Sequence, residues 1–245
     1  MIRIAAVGDL HLGEDSVGSF RPHLAEIADV ADLFLLAGDL TQRGSPRDAE
    51  IIADELRDPP VPTIAVLGNH DYHADAHEIV VSRLEGAGVI VVEGSSTVVD
   101  VGGVRVGIAG TKGFGGGLAG ASGTEFGESE MKAFVRHTRS LSEALEKALT
   151  ELDTDLRLAL LHYSPVRDTL VGEKPEIYPF LGSFLLAEAI DAAGADLVLH
   201  GHAHAGSEKG TTPGGIRVRN VAQPVLRRAF AVYELEVSAR ATLST

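Results

Sequence analysis

Five short apolar runs in this sequence each lead into a carboxylate, an amide or an imidazole. Asp9 and His11 follow Ile2–Val7, Asp39 follows Leu33–Ala37, and Asn69 and His70 follow Thr63–Leu67. His162 follows Leu156–Leu161, and His202 and His204 follow Ala195–Leu199. Singly, such residues have ordinary uses. An Asp behind a Gly forms turns or caps helices, Asn69 suits a turn, and one His after a strand is commonly a hydrogen-bonded boundary residue. Together they make a nitrogen-and-oxygen donor set that suits Mn, Fe or Zn better than Ca. One Asp can bridge two ions through its two oxygens. Two ions roughly 3.5–4 Å apart clamp the attacking and leaving oxygens of an in-line displacement and acidify a bridging water to hydroxide. His202 and His204, two positions apart, would point to the same side of an extended segment.

For these groups to meet, the apolar runs must be strands with their carboxyl ends on one edge, where α/β sheets bind ligands. The runs are the right length, are bounded by Gly, and fit strands buried on both faces. Between them the pattern turns helical. Ser45-Pro46-Arg47-Asp48 is a helix start, with Ser as cap, Pro at the first turn and Asp closing a capping box, and the helix should reach about Arg57, ahead of Pro59-Pro60. A second helix is expected from about Ala74 to Gly86 or Gly88. This βαβ rhythm predicts an α/β fold with a largely parallel sheet. Thr97–Val101 and Val104–Ala109, joined by Gly102-Gly103, read as a hairpin. Gly113–Gly127 reads as a mobile loop, Ser129–Leu152 and Phe184–Ala193 as helices, and Ile216–Val221 and Ala229–Val237 as closing strands. The last residues, about 238–245, are expected to fray, and residues 1–245 show no internal repeat and no linker dividing them into two domains.

Composition narrows the classes. The chain has 245 residues, enough for one large domain, and its core must be aliphatic because aromatic residues make up 5% with no Trp. It has no Cys, which excludes disulfides, thiolate nucleophiles and Cys-held zinc, so any metal must sit on N and O ligands. A formal charge of −14 makes a general binder of nucleic acid or anionic membrane unexpected. The N-terminus starts on a strand pattern without the layout of a signal peptide, and no apolar run approaches bilayer length, so a cytoplasmic protein is expected.

In order, Asp9-Leu10-His11, Gly38-Asp39, Gly68-Asn69-His70-Asp71, His162 and Gly201-His202-Ala203-His204 resemble the motifs of the calcineurin-like metallophosphoesterases. Each motif is weak alone; five in this order, across most of the chain, are specific. The resemblance implies a four-layer α/β/β/α sandwich, two packed sheets flanked by helices. It implies two divalent metal ions: one on Asp9, His11 and His204, the other on Asn69, His162 and His202, with Asp39 bridging. His70 would bind no metal but would contact the phosphate and assist the leaving oxygen, with Asp71 orienting it. The implied activity is hydrolysis of a small phosphodiester or phosphomonoester, by in-line attack of a hydroxide bridging the ions.

The remaining candidates read as structural. His23, His73, His77 and His137 fall in or near expected helices, and His73 with His77 is taken as an exposed face rather than an i, i+4 metal pair. His200 reads as packing or as support behind the ligands. Arg43 stands where some members of the family place a phosphate-binding Arg, but the Asp of that Asp-Arg-Gly motif is replaced by Gln42. Lys112 and Gly113–Gly117 could line the pocket, although a flexible surface loop is the preferred reading. The rival to a hydrolase is an inactive metal-binding scaffold of the same fold. Such a scaffold is expected to lose motif residues, whereas here all are present, His70 included. Self-association through the glycine-rich loop or the helix Ser129–Leu152 is left open.

Overall fold

The structure is a computed structural model that describes residues 1–237; the tail expected to fray lies outside the described residues. In chain order the elements are β1 (Ile2–Val7), α1 (Arg21–Val30), β2 (Leu33–Ala37), α2 (Pro46–Leu56), β3 (Thr63–Val66), α3 (His77–Gly86), β4 (Ile90–Val91), β5 (Ser95–Val101), β6 (Val104–Thr111), β7 (Gly117–Leu118) and β8 (Ala121–Ser122). There follow α4 (Ser129–Thr150), β9 (Leu156–Leu161), α5 (Tyr178–Leu181), α6 (Phe184–Ala193), β10 (Leu197–His200), β11 (Lys209–Thr211), β12 (Arg217–Asn220), α7 (Gln223–Leu226) and β13 (Ala231–Leu235).

The strands form two mixed sheets, ordered β13-β1-β2-β3-β4 and β11-β12-β10-β9-β6-β5, where the βαβ rhythm alone suggested one. Both have a parallel centre; the first sheet has one antiparallel edge, β13, and the second has two, β11 and β5. Because successive strand residues point to opposite faces, each apolar run serves two cores. Ile2, Ile4 and Ala6 of β1 and Leu33 and Leu35 of β2 meet Leu156, Leu158 and Leu160 of β9 between the sheets. The alternate residues, Ala5, Val7, Phe34 and Leu36, pack under α1, α2 and α3. On the other side Ala159, Leu161 and Val198 pack under Leu145 and Leu149 of α4 and Leu186 and Ile190 of α6. The result is the four-layer α/β/β/α sandwich. Among the described residues no helix is long and apolar enough to cross a membrane.

Local signals explain most boundaries. Ser45 caps α2 by accepting the Asp48 N–H at 3.0 Å, and the Asp48 carboxylate returns to the Ser45 N–H at 3.3 Å, completing the capping box. The helix expected from Ala74 begins at His77 instead, because turns occupy residues 69–74, with the His73 N–H on the His70 carbonyl. α1, the expected helix near His23, has Pro22 in its first turn but no side-chain cap of its own. Its start is held from elsewhere: Glu55 of α2, 4% exposed, accepts the N–H groups of Phe20 and Arg21 at 2.9 and 2.7 Å.

The glycine-rich segment is not the mobile surface loop expected. Its first half, through Leu118, is buried or half-buried, and β7 and β8 pair as a short hairpin. The Gly116 and Gly117 N–H groups bond the carbonyls of Pro179 and Gly182, and the Gly115 carbonyl accepts from Thr138 of α4 at 2.5 Å. Bare backbone lets this strip nest between α4 and α5; a β-carbon at Gly115 would come within 2.6 Å of the Pro179 carbonyl.

Candidate metal centre

Both sheets deliver their carboxyl ends to one edge. β1 and β2 bring Asp9 and Asp39, β3 brings Asn69 and His70, β9 brings His162, and the turn after β10 brings His202 and His204. The backbone bends sharply to do this. Asp9, His11, Asp39 and His202 all take left-handed conformations, at φ of 59°, 45°, 50° and 71°. Such values cost energy in residues other than Gly and persist only where the surroundings impose them. Here they turn four side chains into one cleft. The glycine ahead of a motif residue makes room: a β-carbon on Gly68 would collide with the Asp39 carboxylate, and one on Gly201 with that of Asp9.

Two groups of metal-competent atoms result, each within 4.8 Å: Asp9, His11, Asp39 and His204, and Asp39, His162 and His202. Asp39 belongs to both. Asn69 joins the second, its Oδ1 lying 3.0 Å from His162 Nε2. The sequence-derived candidates Asp9, His11, Asp39, Asn69, His162, His202 and His204 thus lie together at one edge.

Hydrogen bonds set which imidazole nitrogen faces inward. His162 Nδ1 donates to the Ala37 carbonyl at 2.8 Å, leaving Nε2 toward Asp39 Oδ1 at 3.3 Å. His202 Nε2 donates to the Phe180 carbonyl at 3.2 Å, leaving Nδ1 for the cleft. An imidazole tied behind in this way is oriented and made a better ligand. His204 Nε2 approaches Asp9 Oδ1 at 2.8 Å and His11 Nε2 at 3.4 Å.

The carboxylates of Asp9 and Asp39 are 2% and 1% exposed, yet no Lys or Arg pairs with them among the described residues. Histidines carry the compensation. Burial pushes the His162 pKa down, but the charges of Asp39 and Asp9 and the hydrogen bonds to Asp39 and Ala37 outweigh it and lift it to about 9. Burial likewise opposes ionisation of Asp39, but His162 and the His70 N–H hold it well below the usual carboxylate range. His204 is raised, chiefly by its bond to Asp9, while burial lowers His11 and takes His202 down to about 3. An anionic, N/O-lined cleft that draws protons onto His162 and His204 fits divalent cations, which compete for the same positions.

His70 stands apart from both groups. Its N–H donates to Asp39 Oδ1 at 2.8 Å, its Nδ1 meets the Gln42 carbonyl at 2.8 Å, and its ring lies 4.4 Å from that of His11. Asp71 does not orient it, contrary to expectation. That carboxylate is fully buried and accepts from the Leu40, Thr41 and Gly68 N–H groups and the Thr41 hydroxyl, so it ties the loop after β2 to the loop after β3. Burial keeps its pKa raised.

The other histidines lie outside both groups. His23 contacts Phe20 and Glu26, His77 stacks on Tyr72 at 4.3 Å, His137 rests against Phe114, and His73 lies in a turn, so no i, i+4 pair exists. His200 is buried between the Gly201 carbonyl and Thr169, and burial takes its pKa down to about 4. Arg43 is exposed. Lys112, assigned above to a surface loop, is 8% exposed. Sequence reading missed Tyr163, whose ring packs 4.2 Å from that of His202, and the carbonyls of Ala37, Gln42 and Phe180. Position next to His162 could have flagged Tyr163; a carbonyl carries no residue-type signal.

Comparison with known proteins agrees with this fold. A stretch of 80 residues is 36% identical to a probable cyclic nucleotide phosphodiesterase of Synechococcus sp., covering 29% of this chain and 31% of that protein. The fold is similar to that of the phosphopantetheinyl hydrolase of Mycobacterium tuberculosis, with a TM-score of 0.68 at 16% identity over 94% of this chain and 95% of that one. It is also similar to the Thermus thermophilus protein TT1561, with a TM-score of 0.61 at 21% identity over 95% and 98% of the two chains. The model of the calcineurin-like phosphoesterases matches residues 2–206, and the chain belongs to that family.

Proposed function

We propose that the chain is a metal-dependent hydrolase of phosphoester bonds in small molecules, working with two divalent ions of the Mn, Fe or Zn kind. The observation that carries this reading is the sharing of Asp39. One buried carboxylate serves both ligand groups, and its Oδ1 also fixes the backbone of His70. Asp9, His11, Asp39 and His204 would hold one ion, and Asn69, His162, His202 and Asp39 the other. When bound, such ions acidify water toward hydroxide and offset charge on the phosphate oxygens. His70 supplies the proton. With its Nδ1–H on the Gln42 carbonyl, the doubly protonated ring would present Nε2–H to the departing oxygen, give it that proton and be left as neutral imidazole. The names of similar proteins, a cyclic nucleotide phosphodiesterase and a phosphopantetheinyl hydrolase, support a small phosphoester. The intact His70 favours turnover over a scaffold role.

The test is hydrolysis of p-nitrophenyl phosphate and bis-p-nitrophenyl phosphate with added Mn, comparing the parent with Asp39→Ala and His70→Ala. Metal-dependent turnover that both changes suppress is expected. Turnover of neither ester by a fully metal-loaded parent would favour the scaffold.

A further inference from the structure

β6 is an interior strand that ends on the active edge and gives no residue to either ligand group. Thr111 of β6 is paired with Leu161 of β9, so Lys112 emerges level with His162, and its carbonyl accepts the N–H groups of His162 and Tyr163 at 3.2 and 3.0 Å. Its ammonium lies 5.2, 4.9 and 5.3 Å from the ring centres of Tyr72, Phe114 and Tyr163. Burying an ammonium is costly unless it is paired. Lys112 has no carboxylate within 4.0 Å among the described residues, and of its three N–H donors one reaches a protein oxygen, the Gly113 carbonyl at 3.2 Å. The nearby Glu93 is spent on the Thr111 hydroxyl and the Lys112 backbone N–H. The rings around the ammonium come from the cleft itself: Tyr163 packs on His202, and Tyr72 follows His70-Asp71 in the chain. Neither tyrosine hydroxyl has a hydrogen-bond partner among the described residues.

We infer that Lys112, with the hydroxyls of Tyr72 and Tyr163, is a specificity-determining group that receives the additional anionic oxygen distinguishing a phosphomonoester from a phosphodiester. A diester has two unesterified oxygens and one negative charge. A monoester dianion has three such oxygens and a second charge, which needs a cation and donors beyond those that serve a diester. Lys112 is the buried cation at this edge, and its aromatic walls exclude the water that would otherwise screen it. This rests on the hydrolase reading above and narrows its substrate class to compounds bearing a terminal phosphate.

The test compares the parent with Lys112→Met, which keeps the chain length and packs against rings, and with Tyr72→Phe, which removes one hydroxyl. The ratio of kcat/KM for p-nitrophenyl phosphate to that for bis-p-nitrophenyl phosphate is expected to fall about ten-fold in Lys112→Met, through KM, and about three-fold in Tyr72→Phe, as loss of charged and neutral hydrogen bonds predicts. Calorimetric binding of inorganic phosphate to the Mn-loaded protein should weaken by a similar factor, and this arm reads the inference even if the parent hydrolyses neither ester, the outcome that would defeat the hydrolase reading. A ratio and a phosphate affinity both unchanged in a folded Lys112→Met protein would overturn the inference. Should that variant not fold, Tyr72→Phe with an unchanged ratio and affinity would do the same.

Discussion

The two ligand groups share Asp39 but are built differently. His162 and His202 are each fastened from behind to a backbone carbonyl, and the His162 side chain is fully buried. His11 and His204 have side chains 24% and 43% exposed and lean on Asp9, Asp39 and each other. One half is therefore oriented by the sheet whether or not an ion is present. The other is an open rim whose imidazoles must be ordered on binding, and ordering long, exposed groups costs conformational entropy. The contrast teaches that a shared carboxylate can join a rigid half to a more exposed and adaptable one.

The change that should erase the comparison altogether is Asp39→Ala. Both groups lose their common carboxylate, so bound Mn measured by atomic emission should drop at both positions and turnover should fall at least about a thousand-fold. Retention of two tightly bound ions would show that the groups are independent. Next in size is His70→Ala, which belongs to neither group. Turnover should fall about a hundred- to ten-thousand-fold, as for loss of a positioned acid, while the metal content stays at the parent value. Loss of metal in that variant would move His70 into the ligand set.

Much of this architecture could be read from residue order because strand ends and candidate ligands coincide. Gly38-Asp39 and Gly68-Asn69-His70 announce both the stop of a strand and the chemistry that follows, and the capping box at Ser45 announces α2. What could not be read depends on partners far away in the chain. The start of α1 is capped by Glu55, some 35 positions later. Asp71 looked like a partner for His70 by adjacency, but the fold brings Thr41 and Gly68 to it instead. Lys112 looked like the edge of a flexible loop, because glycine-rich composition does not reveal that the bare backbone is packed against α4 and α5.

Stability should separate the halves more gently. In metal-free protein, His162→Ala removes a fully buried side chain, leaves the Ala37 carbonyl unpaired and strips a buried carboxylate of its counter-charge. Denaturant unfolding should register a loss of about 2–4 kcal/mol. His204→Ala removes a side chain 43% exposed to water, and its bond to Asp9 is screened, so a loss of about 1 kcal/mol or less is expected. Equal losses would mean that the open rim is as structural as the buried group.

The finest test of the contrast is the order in which the ions leave. If backbone carbonyls behind His162 and His202 pre-orient the second group, its ion should be held about ten- to a hundred-fold more tightly than that of the rim, the range that supporting hydrogen bonds contribute to metal affinity. A graded titration of the Mn-loaded protein with a chelator should then show two steps, and turnover should be lost in the first. His204→Ala should remove the first step and leave the second in place, since His204 contacts Asp9 and His11 and belongs only to the rim group. A single step in the parent, with both ions leaving together, would mean that Asp39 couples the two positions so strongly that their different surroundings no longer matter. The carbonyls of Ala37 and Phe180 would then fix the direction of the imidazoles without setting the affinity of either half.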